Sequence, residues 1–238
     1  MKFKKIVGFG DSWMWGDELL DPTLESHPRA HPVLFENTTY RESNCFLGLL
    51  GQHYGALTEN FGIPGGSSQS AIWTFLWWLK NEPDPESCLV LVGHTNSYRF
   101  SHYNPNHISY ANDPPWNRFV HSTWTGESAF TTLIKEQTVL THCKELSILN
   151  YTQAVLLFDG VAARQNLKLF QFNIARSEHP ITNVPTLFYP DFSFMHWFVQ
   201  ELQPVHGRKY IKPNGHPNEL GHRLIADHLI NQIDSCIM

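Results

Sequence analysis

Lys5-Ile6-Val7-Gly8-Phe9-Gly10-Asp11-Ser12 is the stretch on which the fold turns. Lys5 to Phe9 is a β-like run, and it halts on Gly10-Asp11-Ser12, so a strand stops in a tight turn. The arrangement recurs twice. Leu57 to Phe61 reads as a second strand followed by the turn Gly62-Ile63-Pro64-Gly65-Gly66. Ser67 or Ser68 then caps a very apolar helix through Leu79, closed by Asn81 and Pro83. Cys88 to Val92 is a third strand, apolar throughout as central parallel strands are, and it ends on Gly93-His94-Thr95-Asn96-Ser97.

Between and beyond these units the pattern is less regular. Asp21 to Asn37 carries three prolines and reads as a loop. Ser43 to Tyr54 reads as a helix capped by Ser43, striped by Phe46, Leu47, Leu49 and Leu50 and stopped by Gly55. Tyr98 to Thr125 is rich in Asn, Pro, His and aromatics, and we expect an insertion or lid loop at about 98–126. Glu127 to Leu149 reads as a long helix and Ala154 to Phe158 as a fourth strand. Arg164 to Pro204 shows no decisive period, with a helical run at Phe192 to Leu202; a last helix runs from about Pro217 to Ile233. Strands alternating with helices predict one α/β domain over residues 1–238, a three-layer α/β/α sandwich with a central parallel sheet. In such sheets ligands bind beyond the carboxyl ends of the strands.

Composition narrows the function classes. Seventeen Lys and Arg against 22 Asp and Glu leave a net charge of −5, which argues against a nucleic-acid or anionic-membrane partner. No segment reads as a signal peptide or a spanning helix, so the expected setting is cytoplasmic or part of a viral particle. Cys45, Cys88, Cys143 and Cys236 form no C-x-x-C pair and are expected as buried free thiols.

Four places hold residues suited to chemistry. Ser12 at the end of the first strand presents a hydroxyl and a backbone N–H to the crevice, although Asp11-Ser12 is also what a plain helix cap looks like. The glycine-rich second turn frees amides at a helix start. It has neither the lysine of a P-loop nor the spacing of a dinucleotide fingerprint, which counts against a nucleotide binder. The third turn offers side-chain donors at Thr95 and Asn96 for a developing oxyanion. Asn214-Gly215-His216-Pro217-Asn218 sets a histidine just before the last helix, where it can take a proton from a serine. His222, six positions on, reads as a packing or surface residue.

In this order the four segments resemble the blocks of the SGNH or GDSL-like hydrolases. Gly10-Asp11-Ser12 is similar to the first block, whose serine is the nucleophile; Asn60-x-Gly62-x-Pro64-Gly65 resembles the second, whose glycine gives an oxyanion amide. Gly93-His94-Thr95-Asn96 is similar to the third block, and His216-Pro217-Asn218 to the fifth, whose histidine is the base. The resemblance implies the flavodoxin-like SGNH hydrolase fold and an esterase that needs no cofactor or metal. Catalysis would fall to Ser12 and His216, and the oxyanion hole to Ser12, Gly65 and Asn96. Asp11 would fix the turn.

Two positions depart from the pattern. The family's asparagine position falls on Thr95, with Asn96 next to it, and the aspartate expected three residues before the histidine is Pro213. Asn214 cannot supply a negative charge. A backbone carbonyl or a distant carboxylate therefore orients His216, or the enzyme works as a dyad. The expected substrate is an O-acetyl ester, on a glycan if Tyr103, Tyr110, Trp116 and Trp124 form a sugar-binding face. The alternatives are a lipase, thioesterase or acyltransferase of the same fold, or a viral glycan-binding module that has lost catalysis. The oligomeric state is not legible.

Overall fold

Burial along Cys88–His94 is complete, and that strand lies next to the centre of the sheet. A computed structural model describes residues 3–26, 34–95, 99, 101–103, 119–121, 144–175, 181–188 and 190–237. Four parallel strands form its main sheet in the order β2-β1-β3-β6, with β1 at Lys5–Gly10, β2 at Leu57–Gly62, β3 at Cys88–His94 and β6 at Lys168–Asn173. Ser101–Tyr103 (β4) and Phe119–His121 (β5) pair antiparallel in a separate ribbon. These, with Arg99, are the described residues of the expected insertion.

Alternation along the strands sends side chains to two cores. Ile6, Leu89, Leu91, Phe170 and Phe172 meet Phe46, Leu47 and Leu50 of α3 (Phe46–Tyr54). The last helix, α8 (Glu219–Ile237), covers the same face with Ile225, Ala226, Leu229 and Ile233, spaced by three and four. Val7, Phe9, Val90, Val92 and Leu169 point the other way, onto Ala71, Phe75 and Trp78 of α4 (Ser68–Asn81) and Phe158 and Ala162 of α5 (Lys144–Gln165). The result is the expected α/β/α sandwich. Each fully buried Leu, Ile or Phe contributes on the order of 1.5–3 kcal/mol.

Several local expectations need correcting. Ala154 to Phe158 is not a strand; it lies inside α5. A five-residue apolar run fits a strand or a buried helix face equally well. Here Tyr151, Ala154, Val155, Phe158 and Ala162 are buried at helical spacing, and β6 takes the fourth place in the sheet. The described end of the helix expected at Glu127 to Leu149 belongs to α5 as well. By length and composition Leu146–Gln165 could cross a bilayer, an apolar segment not expected from the sequence; in this fold its buried residues lie on α4, the sheet and Leu187.

The helix expected from Ser43 is two helices, α2 (Thr38–Asn44) and α3, separated by extended Cys45. Ser43 does not cap α3; Nδ1 of His222 accepts from the Phe46 N–H instead. The run at Phe192 to Leu202 is helical from Phe194, as α6 (Phe194–His196), a π-helical turn (Trp197–Leu202) and α7 (Gln203–His206). Cys45 and Cys88 are buried free thiols, but Cys236 is exposed, and Cys143 lies outside the described residues.

Where β2 ends, the backbone leaves no room for a side chain. A Cβ on Gly62 would stand 2.4 Å from the Trp15 amide nitrogen. Gly62→Ala should therefore destabilise the protein by about 1–3 kcal/mol, seen as a lower urea midpoint at unchanged slope.

Candidate active site

Ser12 begins the four-residue helix α1 (Ser12–Trp15), and Asp11 caps it by accepting from the Trp13 N–H at 3.0 Å. The Asp11 carboxylate is buried. Its Oδ2 also accepts from Thr95 Oγ1 at 2.7 Å and from Nη1 of Arg99 at 3.0 Å. A buried carboxylate needs such partners. They tie the turn after β1 to the segment after β3. The Thr95 hydroxyl proton is committed to Asp11, and Asn96 lies outside the described residues. Ser12 is itself almost fully buried, and its N–H makes no hydrogen bond to a described residue.

Asn60 joins the second turn to the first. Its Nδ2 donates to the Met14 carbonyl at 2.8 Å, and its Oδ1 accepts from the Gly62 N–H at 2.9 Å. The Ile63 N–H donates to the Gly10 carbonyl at 3.0 Å, and Gly66 closes the turn on Ile63 at 2.7 Å. Gly65 sits between them at φ 72°, a left-handed conformation that suits glycine. Its N–H, like that of Ser12, makes no hydrogen bond to a described residue.

The histidine arrives on a narrow loop. Ile211 and Pro217 form an antiparallel bridge, Lys212 N–H donates to the His216 carbonyl at 2.8 Å, and Gly215 N–H to the Lys212 carbonyl at 3.0 Å. Pro213 thus occupies the second position of a four-residue turn, where its fixed φ is favourable. Asn214 accepts from the His216 N–H at 3.4 Å and donates to Glu18 Oε1. Asn218 caps α8 by accepting from the Gly221 N–H at 3.0 Å. This loop brings His216 Nε2 to 2.8 Å from Ser12 Oγ, between residues 204 positions apart.

Around the imidazole the charges are unevenly placed. Asp17 Oδ2 lies 3.7 Å from the same Nε2. Nδ1 of His216 is buried and has no hydrogen-bond partner among the described residues. Nε2 accepts the serine proton in the Nδ1–H tautomer, and a buried, unpaired N–H of that kind costs about 1–3 kcal/mol.

Two other histidines flank the site. His222 is buried on α8, with its ring stacked near Phe46 and its Nδ1 accepting from that residue's N–H. Burial, followed by the charge of His216, pushes it down to about 3. His94 at the end of β3 bonds Gln171 at 2.8 Å, and burial pushes it down to about 4 against the opposing effect of that bond. Both are neutral when folded, whereas a free histidine takes a proton near 6.5. Below that pH the unfolded chain binds more protons. Their stabilisation is thus complete above pH 6.5 and is lost as pH falls toward about 4 for His94 and about 3 for His222. Urea unfolding free energies should fall over this window, with a shallower slope in His222→Gln.

His216 therefore meets Ser12 at the carboxyl end of the sheet. Thr95 is tied to the neighbouring Asp11, Asn214 anchors the histidine's loop, and Gly65 lies in the turn that follows β2 at the same edge. Asp17, Glu18 and Arg99 had no sequence signal beyond Gly16, whose left-handed φ of 84° ends α1 and turns Asp17 back. Among the described residues no group of three or more His, Cys, Asp or Glu is arranged to hold a metal ion.

No protein-family model and no curated protein matches this chain. Among solved structures, a lipolytic protein of the G-D-S-L family from Desulfitobacterium hafniense is similar at a TM-score of 0.40 and 13% identity, over 95% of this chain and 97% of its own. A carbohydrate esterase whose active site displays divergent catalytic and non-catalytic binding functions reaches 0.43 at 13% identity, over 98% of this chain and 69% of its own. An α/β hydrolase enzyme from the metagenome of Lake Arreo, Spain, reaches 0.46 at 16%, over 97% and 94%. At such identity no residue role carries over.

Proposed function

We propose that this chain is a serine ester hydrolase of the SGNH type. The observation that carries the reading is the 2.8 Å contact between Ser12 Oγ and His216 Nε2. Ser12 Oγ attacks the ester carbonyl carbon as its proton passes to Nε2. The amides of Ser12 and Gly65 hold the oxyanion, with the Asn96 side chain as third donor. Collapse breaks the bond to the alcohol, which leaves with the proton from Nε2. Water then attacks the acyl-enzyme by the same route and restores the hydroxyl. Asp11 fixes the turn and takes no part in the proton transfers.

Mass spectrometry after fluorophosphonate treatment should find the adduct on Ser12. Ser12→Ala and His216→Ala should each cut kcat on p-nitrophenyl acetate by about 10⁴-fold or more. An unlabelled Ser12, or full activity in Ser12→Ala, overturns the reading.

One observation favours a second reading. The buried Nδ1 of His216 meets no carboxylate among the described residues, as expected of a chain that binds a glycan without cleaving it. Such a chain would bind the glycan but leave the fluorophosphonate unreacted.

For the substrate we propose an O-acetyl ester on a carbohydrate, on the strength of the aromatic-rich stretch with Tyr103, Tyr110, Trp116 and Trp124. Their side chains lie outside the described residues. Acetylated xylose should then be turned over faster than long-chain p-nitrophenyl esters; the opposite order makes the enzyme a lipase.

A further inference from the structure

We propose that Asp17 is the displaced acid of this site, a positioning residue that offsets the positive charge of His216 from the Nε2 side. The inference rests on the esterase reading above and deepens it. Three observations carry it. The position three residues before His216 is Pro213, held in a turn, and Nδ1 of His216 is buried without a partner among the described residues. Asp17 Oδ2 stands 3.7 Å from Nε2, beside the Ser12 hydroxyl that is to lose its proton.

Asp17 is fixed to the nucleophile by the shortest possible route. The N–H groups of Gly16 and Asp17 both donate to the Ser12 carbonyl, at 3.1 and 2.9 Å. Oδ1 accepts from the Glu18 N–H at 3.2 Å, Oδ2 approaches the imidazole, and the same carboxylate also acts on the Arg41 guanidinium. Gly16 cannot be replaced cheaply in this turn: its φ is 84°, and a Cβ there would stand 2.9 Å from that of Cys45. Glu18, the next acid, is occupied with Asn214 and secures the histidine's loop. The Arg99 guanidinium faces Asp11, so its charge is offset there.

The separation suits the task. At 3.7 Å the carboxylate attracts an imidazolium strongly but lies beyond hydrogen-bond distance. It therefore favours proton transfer from Ser12 to Nε2 without capturing the proton, which stays available to the leaving alcohol. No bond is made or broken at Asp17, and its charge is the same at the start and end of the cycle. A triad aspartate does comparable work from the Nδ1 side, where it also fixes the tautomer. Here no carboxylate among the described residues fixes the tautomer, and the field is supplied from the other edge of the ring.

The test compares the wild type with Asp17→Asn and Asp17→Ala. Asp17→Asn keeps the shape and removes the charge. It should lower kcat on p-nitrophenyl acetate roughly 10- to 100-fold at unchanged KM, with an unchanged melting temperature. The Asp17 side chain is 22% exposed, so a small carboxylate can reach its place. Formate should restore the rate of Asp17→Ala several-fold and leave the wild type unaffected, which a purely structural role would not produce. If Asp17→Ala fails to fold, Asp17→Ser takes its place. An Asp17→Asn enzyme within about twofold of wild-type kcat, or a loss that formate does not relieve, overturns the proposal while Ser12 still labels. A wild type that neither labels nor hydrolyses overturns the esterase reading, and this inference with it.

Discussion

A single buried carboxylate sets the geometry of the whole crevice. Asp11 is almost fully removed from water, and such a charge is tolerated only where donors surround it. Its donors among the described residues come from α1, from Thr95 just beyond β3, and from Arg99. Where those donors lie, Asp11 must lie, and Ser12 with it. Ser12 is thus placed by a polar anchor, although the layers around it are held by apolar burial.

The carboxyl edge of the sheet supplies the rest. Gly10 and Gly62 are paired in register, and Ile63 donates to the Gly10 carbonyl. Close backbone approach, possible only without side chains, brings the turns of Ser12 and Gly65 together. On the far side His216 rides a turn made by Pro213 and Gly215 and capped into α8 by Asn218. Backbone hydrogen bonds hold this loop, so its position does not depend on an acid at Nδ1. That makes room for a carboxylate acting from elsewhere, and the turn after α1 presents one.

Histidine serves two different purposes within this small region, and burial sorts them. His94 and His222 are inside, neutral, and used as hydrogen-bonding core residues. His216 keeps a fifth of its side chain exposed and faces a hydroxyl and a carboxylate at once. The same ring is a structural element in one place and suited to carry a proton in another, with the difference lying entirely in its surroundings.

What the sequence determined by itself was whatever local pattern governs. Three strands, each followed by a glycine- or hydroxyl-bearing turn, implied the parallel sheet and the edge on which ligands would sit. Ser67 capping α4 and Gly55 ending α3 were likewise legible, because caps and stops are interactions between near neighbours. The run Ala154 to Phe158 was misread because five apolar residues carry no period of their own. Only the packing of α5 on α4 and the sheet makes that stretch a helix face. The cap of α3 is a histidine 176 positions away, and no local rule could find it. Asp17 and Arg99 are of the same kind. Their roles arise from distances to His216 and Asp11 that exist only once the sheet has closed and the last helix has docked. Tertiary structure alone decided which charges face the imidazole, because electrostatic partners are chosen by proximity in space, and proximity in sequence does not determine it.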